Sequence, residues 1–267
     1  MSTNNENGGW TTVGSSSRRN KKKKRNMHSM RKHLTMEEGE QMGGGVGRQR
    51  LSEDKDPAPS ERVIAHYTVL VESAISEVQD SMYFKSTLQA LRDHMVNMDG
   101  HIQCMYVWGL GSVEQPGAVH IRYQVAMAVL LHRTFSPECS ETYDPIYSRV
   151  DRLVHESYGF HVADASDGKV VATVPTLFFM PHCEACLTAH LLRRNIESDT
   201  LHNVIMLGNS LKTYKERGEM GIRRDDEHVA YLVAACVSRV REIALPEYGF
   251  PVSGAFNDLS LHMFSKE

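Results

Sequence analysis

Four short polar stretches in this chain each follow an apolar run, and each carries groups suited to ligand contact. They are Gly109, Gly111 and Ser112; Asp144; His182 with Cys183; and Asn209 with Ser210. The first closes Gln103-Cys-Met-Tyr-Val-Trp-Gly-Leu-Gly-Ser112, an apolar run stopped by two glycines and a serine, with an almost unbroken apolar helix pattern over 118–133 behind it. Strand, glycine turn and helix in that order suit a nucleotide-like ligand, because glycine lets the backbone approach closely and the helix N-terminus offers free N–H groups. A dinucleotide fingerprint wants a third glycine where this chain has Glu114, whose charge would repel a pyrophosphate. A methyltransferase-like site would carry an acidic residue where this chain has Val107. A nucleotide-like ligand and a purely structural tight turn therefore both fit this stretch. Asp144 follows the expected second strand, where a carboxylate meets ribose hydroxyls, and it equally suits a turn or a helix N-cap.

His182-Cys-Glu-Ala-Cys-Leu-Thr-Ala-His190 has the residue types for zinc, with Cys186 and His190 at i and i+4. Adjacent His182 and Cys183 point apart, however, and structural zinc sites draw on two separated knuckles, so no metal is assigned. Cys183 and Cys186 also spell Cys-x-x-Cys at a helix start, where a thiolate is stabilised, but buried packing is the commoner role of cysteine. A nucleophile and base pairing of Cys183 with His182, His161 or His262 is not selected by any spacing. The chain lacks G-x-S-x-G, P-loop, H-E-x-x-H and paired-carboxylate motifs.

The elements that must position these residues follow from periodicity. Apolar residues recur at helical steps from Val63 to Val78 and again from Phe84 to Met95, which predicts two covering helices. Residues 136–142 have little β-character, so the strand leading to Asp144 reads as weak. Helical spacing over 146–158, a short strand at 160–163, a central strand at 176–180 between Pro175 and Pro181, and a helix over 183–194 follow. A strand ending in Gly208-Asn-Ser210, a long helix over 226–243 and a last strand within 255–264 complete the pattern. Alternating strands and helices predict an α/β fold: a Rossmann-like, mostly parallel sheet over 103–264 with helices on both faces, preceded by two helices over 61–96. In such a sheet the four polar stretches gather at the C-terminal strand ends.

The net charge of −3 hides an asymmetry: residues 1–34 carry nine Lys and Arg against Glu6, or +8, which leaves −11 for the remainder. Residues 1–60 are too poor in large apolar side chains to offset their ordering entropy and read as a disordered basic tail. Within it Arg18-Arg-Asn-Lys-Lys-Lys-Lys-Arg25 suits a nuclear import signal, a nucleic-acid contact or a merely solvated run. No membrane span or secretory leader is apparent, and five scattered cysteines suggest reduced thiols.

Read together, Trp108-Gly-Leu-Gly-Ser112, Tyr143-Asp-Pro145, Thr176-Leu-Phe-Phe-Met-Pro-His-Cys183, Leu207-Gly-Asn-Ser210 with Tyr214, and Ala255-Phe-Asn-Asp-Leu-Ser-Leu-His262 resemble the sensitivity-to-red-light-reduced (SRR-like) domain. The resemblance spans about residues 103–264. It implies a regulatory protein of cytoplasm and nucleus, linked to circadian clock gene expression and haem biosynthesis, working with unidentified regulatory proteins and carrying no assigned catalytic residues or cofactor. The combined expectation is a small-ligand pocket formed by Gly109, Gly111, Ser112, Asp144, His182, Asn209 and Ser210. Two alternatives stand beside it: a methyltransferase-like or hydrolytic enzyme using His182 and Cys183, and a protein-interaction module in which the tail recognises a partner.

Overall fold

The computed structural model describes residues 58–95, 101–117, 119–166, 168–220, 228, 231–232 and 240–266. Residues 1–57, with the basic run and most of the expected tail, lie outside the described residues.

Two helices open the described chain: α1 (Glu61–Asp80), which buries Val71, Ala74, Ile75 and Val78, and α2 (Met82–Met95), which buries Tyr83, Phe84, Thr87, Leu91 and Met95. Ser81 breaks them apart by accepting from the Phe84 N–H at 3.1 Å and donating to the Val78 carbonyl at 2.6 Å. β1 (Cys104–Trp108) then leads through the glycine turn into α3 (Val119–Phe135). Ten residues of α3 are buried, from Ile121 to Leu131, because the helix is covered on one side by the sheet and on another by α1. Tyr123 of α3 donates to Glu77 of α1 at 2.7 Å.

The remaining elements are β2 (Cys139–Tyr143), α4 (Arg149–Ser157), β3 (His161–Val162), β4 (Thr176–Met180), α5 (Ala185–Glu197), β5 (Val204–Asn209), α6 (Leu211–Glu219), β6 (Val240–Ala244) and β7 (Leu259–Phe264). They form one seven-stranded sheet in the order β3-β2-β1-β4-β5-β7-β6. β1 to β6 share one direction, and β7 is inserted antiparallel between β5 and β6. The chain winds outward from β1 to β3 on one side and from β4 onward on the other, so the topological switch point lies between β1 and β4.

Side-chain alternation divides the core by face. Leu177 and Phe179 of β4 join Met105, Val107, Ile205 and Leu207 beneath α1 to α3. Phe178 and Met180 face the other way, with Trp108, Met206 and the Ala189, Leu191 and Leu192 side chains of α5. All five β4 residues are buried, as expected of a central parallel strand.

Three expectations change. The weak strand before Asp144 forms as β2, since pairing with β1 from Cys104↔Cys139 to Trp108↔Tyr143 and with β3 outweighs its poor propensity. The end of the expected 226–243 helix is β6, paired with β7 from Val240↔Phe264 to Ala244↔Ser260. Within the rest of that span His228, Tyr231 and Leu232 are helical, and the other residues lie outside those described. Cys104 and Cys139, expected as free thiols, are joined by a disulfide, because the β1–β2 register sets them side by side. No helix among the described residues is long and apolar enough to cross a membrane.

Candidate functional site

The four polar stretches do meet at the C-terminal edge of the sheet. Gly109 and Gly111 have φ of +72° and +82°, a region side chains other than glycine rarely adopt, so the turn after β1 needs both. A Cβ at Gly109 would lie 2.6 Å from Cys183 Sγ, and one at Gly111 would lie 2.8 Å from Ile121 Cδ1. The close approach that glycine permits is therefore made to neighbouring side chains of the same fold.

Buried carboxylates hold this turn from the β2 side. Asp144 Oδ2 accepts the Gly111 N–H at 2.8 Å and Oδ1 accepts the Ile146 N–H at 3.0 Å. Burial raises the Asp144 pKa, and the two backbone N–H bonds offset only part of that rise. Asp151, fully buried, accepts the Val113 N–H and the Ser148 N–H, both at 2.8 Å. Ser148 Oγ accepts the Asp151 N–H in return, which makes a capping box at the start of α4. Behind it His155 is wholly buried, with neither ring nitrogen hydrogen-bonded, and burial lowers its pKa to about 4. Ser112 Oγ accepts the Glu114 N–H at 3.2 Å.

On the other side of the switch point the turn after β4 is held by an amide. The His182 N–H donates to Asn209 Oδ1 at 3.1 Å, while Asn209 Nδ2 donates to the Cys183 carbonyl at 2.9 Å and to Tyr214 Oη at 3.1 Å. Tyr214 Oη also donates to the Cys183 carbonyl at 3.3 Å. His182 itself sits at φ +56°, left-handed and unusual for histidine, with its side chain exposed. At the start of α3, His120 has its pKa lowered by burial and then by His182 nearby, so two imidazoles flank this edge.

Cys183 points inward. Its thiol donates to the Trp108 carbonyl at 3.3 Å, and burial, followed by the charge of Asp144, pushes its pKa up. A thiol held protonated in this way is a poor nucleophile. Cys186 Sγ instead contacts Glu184 Oε2 at 3.7 Å, and the His190 ring lies 5.2 Å from that of His228, so the residues considered for zinc diverge. Among the described residues no group of three or more His, Cys, Asp or Glu is placed to hold a metal ion.

Ser210 belongs to a helix cap. Its hydroxyl donates to Glu242 Oε1 at 2.5 Å and accepts the Thr213 N–H at 3.0 Å, and Glu242 Oε2 accepts the Lys212 N–H at 3.0 Å. Burial alone would raise the Glu242 pKa, but the His262 imidazole beside it and hydrogen bonds from Ser210 and the Lys212 N–H bring it down to about 2. His262 Nε2 lies 3.7 Å from the same carboxylate, and its Nδ1 lies 3.3 Å from the Met206 carbonyl. The serine is bonded to the carboxylate and not to the imidazole, so this Ser-Glu-His chain lacks the order a serine nucleophile requires.

Gly109, Gly111, Ser112, Asp144, His182 and Asn209 thus lie together at the sheet edge, whereas Ser210 turns to the α6 cap. Asp151 and Glu242 escaped the sequence reading, and His262, considered there only as a partner for Cys183, lies beside Glu242 instead. Only Asp151 left a local trace there, the Ser148-x-x-Asp151 spacing of a capping box.

A seven-stranded, mostly parallel sheet with polar loops at its C-terminal edge defines a Rossmann-like protein. The sequence matches the SRR1 domain over residues 84–263, and the chain belongs to that family. Its relatives include an SRR1-like protein of Drosophila melanogaster, 29% identical over 198 residues, which cover 74% of this chain and 68% of the relative. The protein SENSITIVITY TO RED LIGHT REDUCED 1 of Arabidopsis thaliana is 29% identical over 208 residues, 73% of each chain. An SRR1-like protein of Mus musculus is 28% identical over 146 residues, 54% of this chain and 58% of the relative. Among solved structures the plantazolicin methyltransferase BpumL is similar at a TM-score of 0.35 and 10% identity, covering 77% of this chain and 98% of that one, a likeness too low to bear on function.

Proposed function

We propose that this SRR1-family protein is a regulator in circadian clock gene expression and haem biosynthesis, present in cytoplasm and nucleus, that takes an adenosyl-type small molecule at the C-terminal edge of its sheet. The observation that carries the ligand is the strand order β3-β2-β1-β4-β5-β7-β6 with β7 reversed. Dinucleotide-binding sheets share the 3-2-1-4-5 part of this order, and in open α/β sheets ligands sit outside the carboxyl ends of strands at the switch point. Here the loops after β1 and β2, held in place by Asp144, would border the nucleoside, with exposed His182 and the Asn209 amide bordering it from the β4 and β5 side. The name of the Arabidopsis relative, which refers to reduced sensitivity to red light, supports a link to light signalling.

Thermal unfolding with S-adenosylmethionine, S-adenosylhomocysteine, adenosine and haem tests the ligand. At a hundredfold excess over Kd an adenosyl compound should raise Tm by roughly 5 to 10 °C. A flat response across the adenosyl compounds removes this reading.

One observation favours a catalytic version: His182 is exposed on a turn pinned by Asn209 and Tyr214. Incubation with methyl-labelled S-adenosylmethionine and cell extract tests it. His182→Ala should keep the thermal response and lose label transfer, while transfer surviving in the variant excludes a role for this imidazole. The buried thiol of Cys183 gives the hydrolytic alternative no support.

A further inference from the structure

We propose that Cys139 and Cys104 form a redox-modification site, in which Cys139 exchanges with a low-molecular-weight disulfide such as glutathione disulfide and Cys104 resolves the adduct. The two residues are direct partners in the parallel β1–β2 register, with Cα atoms 4.7 Å apart, inside the range a disulfide spans. Cys139 is exposed, whereas Cys104 is half-buried. Their alignment does not depend on the sulfur bond. The Gln103 carbonyl accepts the Glu138 N–H at 2.8 Å and the Cys139 N–H at 3.2 Å, and the Gln103 N–H donates to the Pro175 carbonyl at 2.9 Å. In the reduced protein the backbone still holds the thiols side by side, which favours intramolecular closure over a lasting mixed disulfide.

The chemistry runs in two displacements. The Cys139 thiolate attacks one sulfur of glutathione disulfide, breaking its S–S bond, forming a mixed disulfide and releasing one glutathione thiolate. The Cys104 thiolate then attacks the Cys139 sulfur, forming the Cys104–Cys139 bond and expelling the second glutathione. Two protein thiols lose two electrons in all, glutathione disulfide gains them, and two glutathione thiols leave with the two protons. A dithiol reverses both steps. Cys183 does not compete, since it is buried and bonded to Trp108.

The position gives the bond a structural consequence. It ties the starts of β1 and β2, whose far ends are already joined by the Gly109 N–H to the Tyr143 carbonyl at 3.1 Å and by Asp144 to the Gly111 N–H. Oxidation therefore closes the strand pair at both ends, whichever ligand the sheet edge takes.

The test uses the full chain, reduced and then equilibrated with glutathione disulfide, acid-quenched, alkylated and mapped by peptide mass spectrometry. Wild type should yield the Cys104 and Cys139 peptides cross-linked and free of glutathione, with Tm raised by roughly 10 °C over the reduced form and restored by dithiothreitol. Cys104→Ser should retain glutathione on Cys139 and show no such rise. Stable glutathione on wild-type Cys139, free alkylation of both residues after oxidant, or the same Tm rise in Cys104→Ser would overturn the proposal. If Cys104→Ser folds poorly, Cys139→Ser decides the assignment of roles: Cys104 should stay unmodified over the time in which wild type closes, and its rapid glutathionylation would be equally fatal.

Discussion

At the ends of β1 and β2 the backbone N–H groups of the glycine turn are held by buried carboxylates, Asp144 and Asp151. At the ends of β4 and β5 the turn at His182 is held by the neutral amide of Asn209. Both devices fix irregular backbone at the edge of a rigid sheet, yet they differ in electrostatic cost. A buried carboxylate must be compensated by several donors, and losing one partner leaves a group that neither water nor protein satisfies. An amide carries its own donor and acceptor, so it can bridge an N–H and a carbonyl without importing charge. The carboxylate side should therefore be strong and brittle, and the amide side weaker and tolerant.

The largest test of that contrast is Asp151→Ala. It removes the acceptor for two backbone N–H groups, one of them on Val113, and abolishes the capping box of α4. We expect a loss of about 4 kcal/mol in chemical denaturation. Asp151→Asn should recover part of it, because the amide oxygen still accepts one bond. A loss below about 1 kcal/mol for Asp151→Ala would mean that the loop is held by packing alone.

Acid should break the two sides in separate windows. His155, behind the carboxylate side, has its pKa lowered from 6.5 to about 4, so the unfolded chain takes up a proton before the folded one does. Its contribution is complete above pH 6.5 and is lost as pH falls toward 4, up to about 3 kcal/mol. Glu242, beside the amide side, is lowered from 4.5 to about 2, so its contribution persists to pH 4.5 and fades only below that. Urea midpoints for wild type and His155→Leu between pH 7 and 4 measure the first window. Identical slopes would show that His155 does not control it.

How much of this was legible depended on whether the determining contacts were local. Thr176–Met180 could be read from the chain because two prolines bound it and all five of its residues are buried. β2 could not, since Ser140 and Glu141 carry no β-preference and the strand exists because β1 and β3 flank it. β6 hid inside a helical spacing, and only pairing with β7 turns Val240–Ala244 into a strand. In the site, the position of Asp144 was legible but its bond to the Gly111 N–H, 33 residues away, was not. The placement of Glu242 and His262 is illegible for the same reason: they reach the start of α6 from β6 and β7, 32 and 51 residues away.

On the amide side, Asn209→Ala removes the bonds to the His182 N–H and the Cys183 carbonyl, but Tyr214 still donates to that carbonyl. We expect a loss of about 1 to 2 kcal/mol, clearly less than for Asp151→Ala. A larger loss than at Asp151 would invert the comparison and place the stronger clamp at β4.

The smallest effect distinguishes a strained turn from a merely tight one. His182 occupies φ +56° with an exposed side chain, so its conformation is imposed by the bonds around it and its imidazole adds little packing. Glycine adopts this region without a Cβ penalty, although it gains entropy in the unfolded chain, and the two terms act in opposite directions. His182→Gly should therefore shift stability by less than about 1 kcal/mol, and His182→Ala should be slightly worse because alanine keeps the penalty. If both cost more than about 2 kcal/mol in denaturant titration, the imidazole is a structural element. If glycine is neutral while label transfer or adenosyl binding is lost, the histidine is retained for what it presents at the sheet edge.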